Sequence, residues 1–301
     1  MNSSKKSLIV ILGPTAIGKT KLSIELAKKF NTEIISADSR QFYKEMNIGT
    51  AKPSKEELES AKHHFIGNLS VSDNYNVSMF EQQALLCLNK IFYKNKYAIM
   101  VGGSGLYINA LCHGIDELPD PDESLREQLK NLYKTKGIEA LKTKLQKLDP
   151  EYYAIVDKAN PKRLMRGIEV CITSGKKYSS LRSQGYKNRY FNIIKIGLTI
   201  KREELFEKIN KRVDIMIDSG LLDEAKNLYH YKNLNALNTV GYKELFEYFD
   251  KKISLERAIE NIKTNTRRYA KRQMTWFKKD KDIKWFNPEN IQEIIEYIKN
   301  F

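Results

Sequence analysis

The stretch SLIVILGPTAIGKT, residues 7–20, decides the fold. It opens as a short apolar run of the kind that forms a strand buried on both faces of a parallel sheet. The eight residues that follow, Gly13, Pro14, Thr15, Ala16, Ile17, Gly18, Lys19 and Thr20, match G-x-x-x-x-G-K-S/T. Residues 19–30 then continue with the spacing of an amphipathic helix. Strand, glycine-bounded turn and helix is the setting in which this motif means phosphate binding. Successive backbone N–H groups and the helix N-terminus make an anion nest, with Lys19 as a point charge and the Thr20 hydroxyl as a ligand for Mg²⁺. The pattern specifies a pyrophosphate group but not the molecule that carries it.

Working outward, residues 33–37 read as a second strand ending at Asp38, and 97–101 as a third that closes on Gly102-Gly103-Ser104. Helices are expected near 54–62 and over 78–95. This alternation predicts an α/β fold, a P-loop-containing parallel sheet flanked by helices. Ligands of such sheets sit beyond the carboxyl ends of the strands, where 13–20, 38–41 and 102–104 converge. Two prolines in 118–122 mark a domain edge, and 124–174 reads as helical, with Asn160-Pro161 opening one helix. Residues 192–200 return as a strand; helices are expected over 203–219, 222–231, 255–272 and 289–299, with a short strand at 283–285. The expected organisation is a core catalytic domain, 1–118 and 192–301, carrying an inserted all-helical domain, 119–191.

The chain of 301 residues carries 52 Lys and Arg against 37 Asp and Glu, a formal charge of +15. Residues 120–195 hold 17 of the bases and 9 of the acids, so the insertion is expected to face a nucleic acid. Along 263–279, Lys263, Arg267 and Lys271 repeat every four residues beside Arg268 and Arg272, a basic helix face suited to RNA phosphates; Trp276 and Phe277 are expected in the core. Cys87, Cys112 and Cys171 are too scattered for disulfides or a zinc site and suit a reducing compartment. The polar start, 1–7, leads straight into a strand with no signal or membrane segment, so a cytoplasmic protein without a membrane partner is expected. His63 and His64, being adjacent, point apart and cannot chelate as a pair.

A P-loop ATPase presents a second acidic residue at the end of an apolar strand. Here the third strand ends in Gly102-Gly103-Ser104, and the free carboxylate is Asp38, as a metal helper, a general base or a helix cap. These residues carry a resemblance. GPTAIGKT (13–20), ISADSRQFYKEMNIGTAKP (35–53), HHF (63–65), VGGSGLYINAL (101–111), NPKRLMRGIEV (160–170), NTVGYKEL (238–245) and RRYAKRQMTWF (267–277) stand in the order found in the bacterial-type tRNA dimethylallyltransferases. The chain resembles that family, the IPP transferases, over nearly its whole length.

The resemblance implies transfer of a dimethylallyl group from dimethylallyl diphosphate to N6 of the adenine 3′ to the anticodon, with Mg²⁺ as cofactor and diphosphate leaving. It makes Asp38 the base, brings Arg212 to the diphosphate beside Lys19, and puts Ser104 where the family usually has threonine, at the mouth of the reaction channel. Asp38, Ser39, Arg40, Gln41 and Ser104 would read the flipped adenine; Arg126, Lys162, Arg163, Leu164, Met165 and Arg166 would contact the anticodon loop. A monomer is expected. The chain has no zinc finger of the kind the family's eukaryotic members carry, which favours a bacterial or organellar type. A transferase acting on free AMP needs no RNA-binding insertion, the missing acidic residue disfavours a small-molecule kinase, and no N-K-x-D motif supports a GTPase-like RNA-binding module.

Overall fold

A computed structural model describes residues 6–120, 122–182 and 187–301. Its strands are β1 (Ser7–Leu12), β2 (Ile34–Ser36), β3 (His63–His64), β4 (Tyr97–Gly102), β5 (Asn192–Leu198) and β6 (Lys284–Phe286). The first helices are α1 (Lys19–Phe30), α2 (Lys55–Ser60), α3 (Val77–Lys94) and α4 (Gly105–His113). Next come α5 (Glu123–Leu148), α6 (Pro150–Ile155), α7 (Pro161–Ser174) and α8 (Tyr178–Leu181). The last are α9 (Arg202–Asp218), α10 (Leu221–Asn227), α11 (Tyr242–Phe249), α12 (Leu255–Phe277) and α13 (Ile291–Asn300). The chain folds as two compact units, Met1–His113 with Arg189–Phe301, and Gly114–Asn188. Pro121, part of the expected domain edge, lies outside the described residues.

The first unit is built on six parallel strands in the order β3-β2-β4-β1-β5-β6. β1 is sandwiched between β4 and β5 in unbroken register, Ser7 to Leu12 against Tyr97 to Gly102 on one side and Asn192 to Gly197 on the other. All six β1 residues are buried, because its alternating side chains enter two cores. Leu8, Val10 and Leu12 pack with Phe80, Ala84 and Leu88 of α3 and Leu111 of α4. Ile9 and Ile11 pack with Leu22 and Leu26 of α1, Ile209 of α9 and Ile294 and Ile298 of α13. Covering both faces explains why β1 reads as a continuous apolar run rather than an alternating one. A third core gathers Val213 of α9, Leu221 and Ala225 of α10, Tyr242 and Leu245 of α11, and Ile262 of α12.

The sequence reading missed β3, α4, α8 and α11. β3 is two residues long, below any periodic signal, and exists through its pairing with Ile34 and Ile35. α12 runs past Arg272 to Phe277, so the basic and aromatic positions belong to one helix. Phe277 is buried as expected, whereas Trp276 is 43% exposed. Of the basic face expected on α12, Arg268, Lys271 and Arg272 are exposed, whereas two members are engaged within the protein. Lys263 Nζ lies 2.7 Å from Asp214, and Arg267 donates to Asn210 Oδ1 at 2.5 Å, so both are turned toward α9.

The second unit packs Leu125, Leu129, Leu141 and Leu145 of α5 against Tyr152 of α6 and Leu164 and Ile168 of α7. Asn160 caps α7 by accepting from Arg163 N, with Pro161 at the first turn. α5 is interrupted at Gly137, where φ is 71° and ψ is −172°. The basic surplus of this unit is smaller than the 120–195 window implied: Gly114–Asn188 holds 15 Lys and Arg against 11 Asp and Glu. Arg189 and Lys195 belong to the first unit, paired with Glu81 and Asp280 at 2.7 Å each.

The close approach of β2 and β4 ends at Gly102, where an added Cβ would stand 2.4 Å from Ala37 O and 2.6 Å from Ala37 C. Backbone cannot yield as a side chain does, so Gly102→Ala is expected to cost about 1–3 kcal/mol, as overpacked sites do. Denaturant unfolding measures this; an unchanged midpoint would show that β2 and β4 do not meet there.

Candidate active site

The ends of β1, β2 and β4 bring three short segments together. After β1 the chain turns through 13–18 into α1, with Gly18 at φ 99°, a left-handed geometry that glycine adopts freely. Ala16 takes φ 65°, a less common conformation for a residue with a Cβ, at the crest of the loop. Ile17 is buried and packs into the core below, which pins the loop from beneath.

Lys19 folds back under its own loop, donating to Gly13 O at 3.1 Å and Pro14 O at 2.7 Å. Burial pulls its pKa down to about 7, the Asp38 charge partly offsets this, and Arg212 adds to the lowering. Arg212 reaches the loop from α9, donating to Thr15 Oγ1 at 3.2 Å, and burial lowers its pKa too. The structure therefore brings together the expected phosphate loop, Lys19 and Arg212.

Asp38 follows β2 directly. Its Oδ1 accepts from Arg40 N at 3.0 Å. Ser104, just past β4, accepts from Ser39 N at 3.1 Å and stands 3.2 Å from the Ser39 hydroxyl. Tyr269 of α12 sits over the pair; burial, with the Asp38 charge, pushes its phenol up to about 12, so it stays protonated. Two neighbours expected to read a base are already committed. Gln41 donates from Nε2 to Thr50 O and Ala51 O at 3.2 and 3.0 Å, so its N–H groups hold that loop, and its Oε1 accepts from Ser36 Oγ at 3.4 Å. Arg40 donates to Asn235 O and Ala236 O at 2.8 and 3.1 Å, although it still borders the cavity.

That cavity, about 400 Å³, has a polar mouth of Thr15, Asp38, Ser39 and Arg212. Ile209, Val213, Met216, Leu221 and Ile262 form the apolar part of its lining, and Asn238, Thr239, Thr266 and Tyr269 add polar groups. Lys243 and Arg272 stand at its edge, exposed. A smaller recess of about 40 Å³ lies next to the loop, bordered by Lys19, Thr20, Ser36, Asp38, Gln41 and His63. No group of three or more His, Cys, Asp or Glu could hold a metal among the described residues. The recess offers two hydroxyls, of Thr20 and Ser36, and one carboxylate instead, a donor set that suits Mg²⁺, which keeps its waters and takes further oxygens from a substrate's phosphates.

In the second unit, Lys162 and Arg163 are exposed on the first turn of α7. Arg126 and Arg166 converge on Glu169, which is 2% exposed, at 2.6 and 2.7 Å. Arg166 also donates to Pro119 O at 3.1 Å. Met165 is half-buried against the unit's core. Leu164 corrects the sequence reading: it is fully buried on the apolar face of α7 and can touch no RNA.

Sequence reasoning missed Gln273. This side chain donates to Gly103 O at 3.0 Å and accepts from Thr15 N at 2.9 Å, joining the β4 end to the phosphate loop. A signal was present, since Gln273 falls in the apolar stripe of α12 with Ala270 and Phe277. Glu224 was missed too. Its carboxylate accepts from Asn47, Ile48 and Gly49 N–H groups at 2.9 Å each and from the Tyr242 hydroxyl at 2.7 Å, fixing the loop that carries Gly49 and Thr50 to the cavity.

Comparison with known proteins bears on this geometry. The IPP transferase family model matches residues 41–280. A tRNA dimethylallyltransferase of Christiangramia forsetii is 56% identical over 294 residues, 97% of each chain. The crystal structure of a tRNA isopentenylpyrophosphate transferase from Bacillus halodurans aligns at a TM-score of 0.73 and 38% identity, covering 98% of this chain and 96% of that one. A eukaryotic dimethylallyltransferase acting on tRNA aligns at 0.79 and 29% identity, covering 98% and 77%. The chain belongs to the IPP transferase family.

Two outcomes follow from the site's electrostatics and ties. Between pH 7 and 9 the unfolded chain keeps Lys19 protonated while the folded chain releases that proton, so the wild type should gain stability with rising pH relative to Lys19→Met. The gain is bounded at about 1.4 kcal/mol per pH unit; parallel stability curves for the two proteins would contradict the buried, weakened lysine. Gln273→Leu strands Thr15 N and Gly103 O and is expected to cost about 1–3 kcal/mol in denaturant unfolding while loosening the phosphate loop.

Proposed function

We propose that this chain is a tRNA dimethylallyltransferase, moving a dimethylallyl group from dimethylallyl diphosphate to N6 of the adenine 3′ to the anticodon. One observation carries the reading at the level of the site: a single cavity is lined by Thr15 of the phosphate loop, Asp38 and Arg212 together with the apolar side chains of Ile209, Val213, Met216, Leu221 and Ile262. A short alkyl diphosphate suits both parts of that lining, its phosphates the polar groups and its hydrocarbon the apolar ones. The names of the relatives supply the acceptor class, tRNA.

In this reading the diphosphate lies along the loop amides with Lys19 and Arg212, whose charges oppose the negative charge that grows as the alkyl C–O bond breaks. Donating to that anion offsets the desolvation both cations bear in the free protein. The adenine amine attacks the same carbon, forming the C–N6 bond, and Asp38 takes the proton that N6 releases. Arg40 N–H, donating to Asp38 Oδ1, aims the carboxylate, while Ser104 and Tyr269 border the place where the base arrives. Thr20, with the substrate's own oxygens, would hold Mg²⁺, which would supply positive charge to the leaving diphosphate. Exposed Lys162 and Arg163, with Arg126 and Arg166 held by Glu169, serve the anticodon stem-loop.

The enzyme acts as a monomer in the cytoplasm. The three cysteines are free thiols, as a reducing compartment keeps them. No helix among the described residues is long and apolar enough to cross a membrane.

The test offers labelled dimethylallyl diphosphate with either an anticodon stem-loop or AMP. Label should enter the RNA; label on AMP alone would transfer the assignment to a free-nucleotide enzyme. Asp38→Asn is expected to retain RNA binding while turnover drops about 10²–10⁴-fold. Near-normal turnover in that variant would remove Asp38 as the base.

A further inference from the structure

Among the described residues one buried side-chain polar atom stands without a partner: Nε2 of His63. Its other ring nitrogen, Nδ1, lies 2.7 Å from Ala61 O. A carbonyl oxygen only accepts, so Nδ1 carries the hydrogen. Burial lowers the pKa of the ring, which favours the neutral form and leaves Nε2 as a bare acceptor. The Ala61 contact holds the ring, and the backbone of His63 is fixed by its pairing with Ile34 in the sheet. Its neighbour His64 faces elsewhere, bonded to Glu33 at 2.6 Å.

A buried polar atom without a partner is rare enough to demand an occupant. His63 borders the small recess shared with Lys19, Thr20, Ser36 and Asp38. Four occupants can be compared. The Lys19 ammonium is spent on Gly13 O and Pro14 O. A diphosphate offers acceptors and cannot satisfy a second acceptor directly. Mg²⁺ prefers oxygen to imidazole nitrogen as a direct ligand. A water on that ion donates strongly, because the cation polarises its O–H bonds, and a space of about 40 Å³ admits one.

We propose that His63 Nε2 accepts a hydrogen bond from a water of the divalent cation that Thr20 holds beside the diphosphate, making His63 a positioning residue for that cation. Outer partners of this kind orient the ligands of a metal and commonly change its affinity about 10–100-fold. The inference rests on the diphosphate-binding reading of the loop.

The test measures affinity for inorganic diphosphate by calorimetry at several Mg²⁺ concentrations and in EDTA, with no turnover involved. His63→Asn keeps a donor for Ala61 O and removes the acceptor, and His63→Gln puts an oxygen near the Nε2 position. The Mg²⁺-dependent gain in diphosphate affinity should fall about tenfold or more in His63→Asn, with the EDTA value unchanged and the gain largely restored in His63→Gln. Should His63→Asn not fold, His63→Leu serves as the loss variant. A full Mg²⁺ gain in the loss variant would reduce the atom to the partner of an ordinary buried water and overturn the proposal. An equal loss in EDTA would make His63 a packing residue and overturn it as well. Failure of the wild type to bind diphosphate under any condition would instead overturn the functional reading beneath it.

Discussion

Two buried cations with no carboxylate at salt-bridge distance, among the described residues, set the terms for this site. Lys19 is held by loop carbonyls and Arg212 by a threonine hydroxyl. Asp38 contributes field rather than contact. Burying cations with such weak compensation opposes folding, and the surrounding structure must absorb the cost. The same arrangement leaves the site's own charges unanswered, and in the proposed function an anion of two phosphates would complete them. Stability is set against affinity here, as is common where local rules are broken at functional sites.

What absorbs the cost is the sheet and the helix laid across its end. β1 is buried on both faces and paired on both edges, so the loop that follows it starts from a fixed point. Gln273 then ties the loop to the β4 end through two hydrogen bonds spanning 258 and 170 residues of sequence. Glu224 does similar work on the other side, gathering three backbone N–H groups of 47–49. In both cases a polar side chain, buried for Gln273 and half-buried for Glu224, is held there because backbone groups at a loop need partners that regular secondary structure does not supply.

The basic residues divide by the same logic. Some that look like RNA contacts in a one-dimensional reading are structural: Lys263 and Arg267 join α12 to α9, and Lys195 and Arg189 neutralise Asp280 and Glu81. Arg126 and Arg166 are intermediate, half-exposed yet held by the buried Glu169. Charge count locates a surplus, but only the partner of each guanidinium or ammonium shows whether it is free to meet a phosphate.

The sequence by itself determined the parallel sheet, the phosphate loop and the carboxylate beyond β2, because these depend on short-range patterns: a continuous apolar run, two glycines at fixed spacing, an aspartate at a strand end. The seven ordered motifs also specified the family. Tertiary structure alone decided which polar residues are spent inside the protein. Gln41 and Arg40 answer carbonyls of 50–51 and 235–236. Leu164 faces a core while Lys162 and Arg163 face outward. His63 is left with one nitrogen unanswered. The physical reason is that a hydrogen-bonding side chain finds its partner through space, and its own sequence neighbourhood carries no record of which distant backbone group will stand opposite.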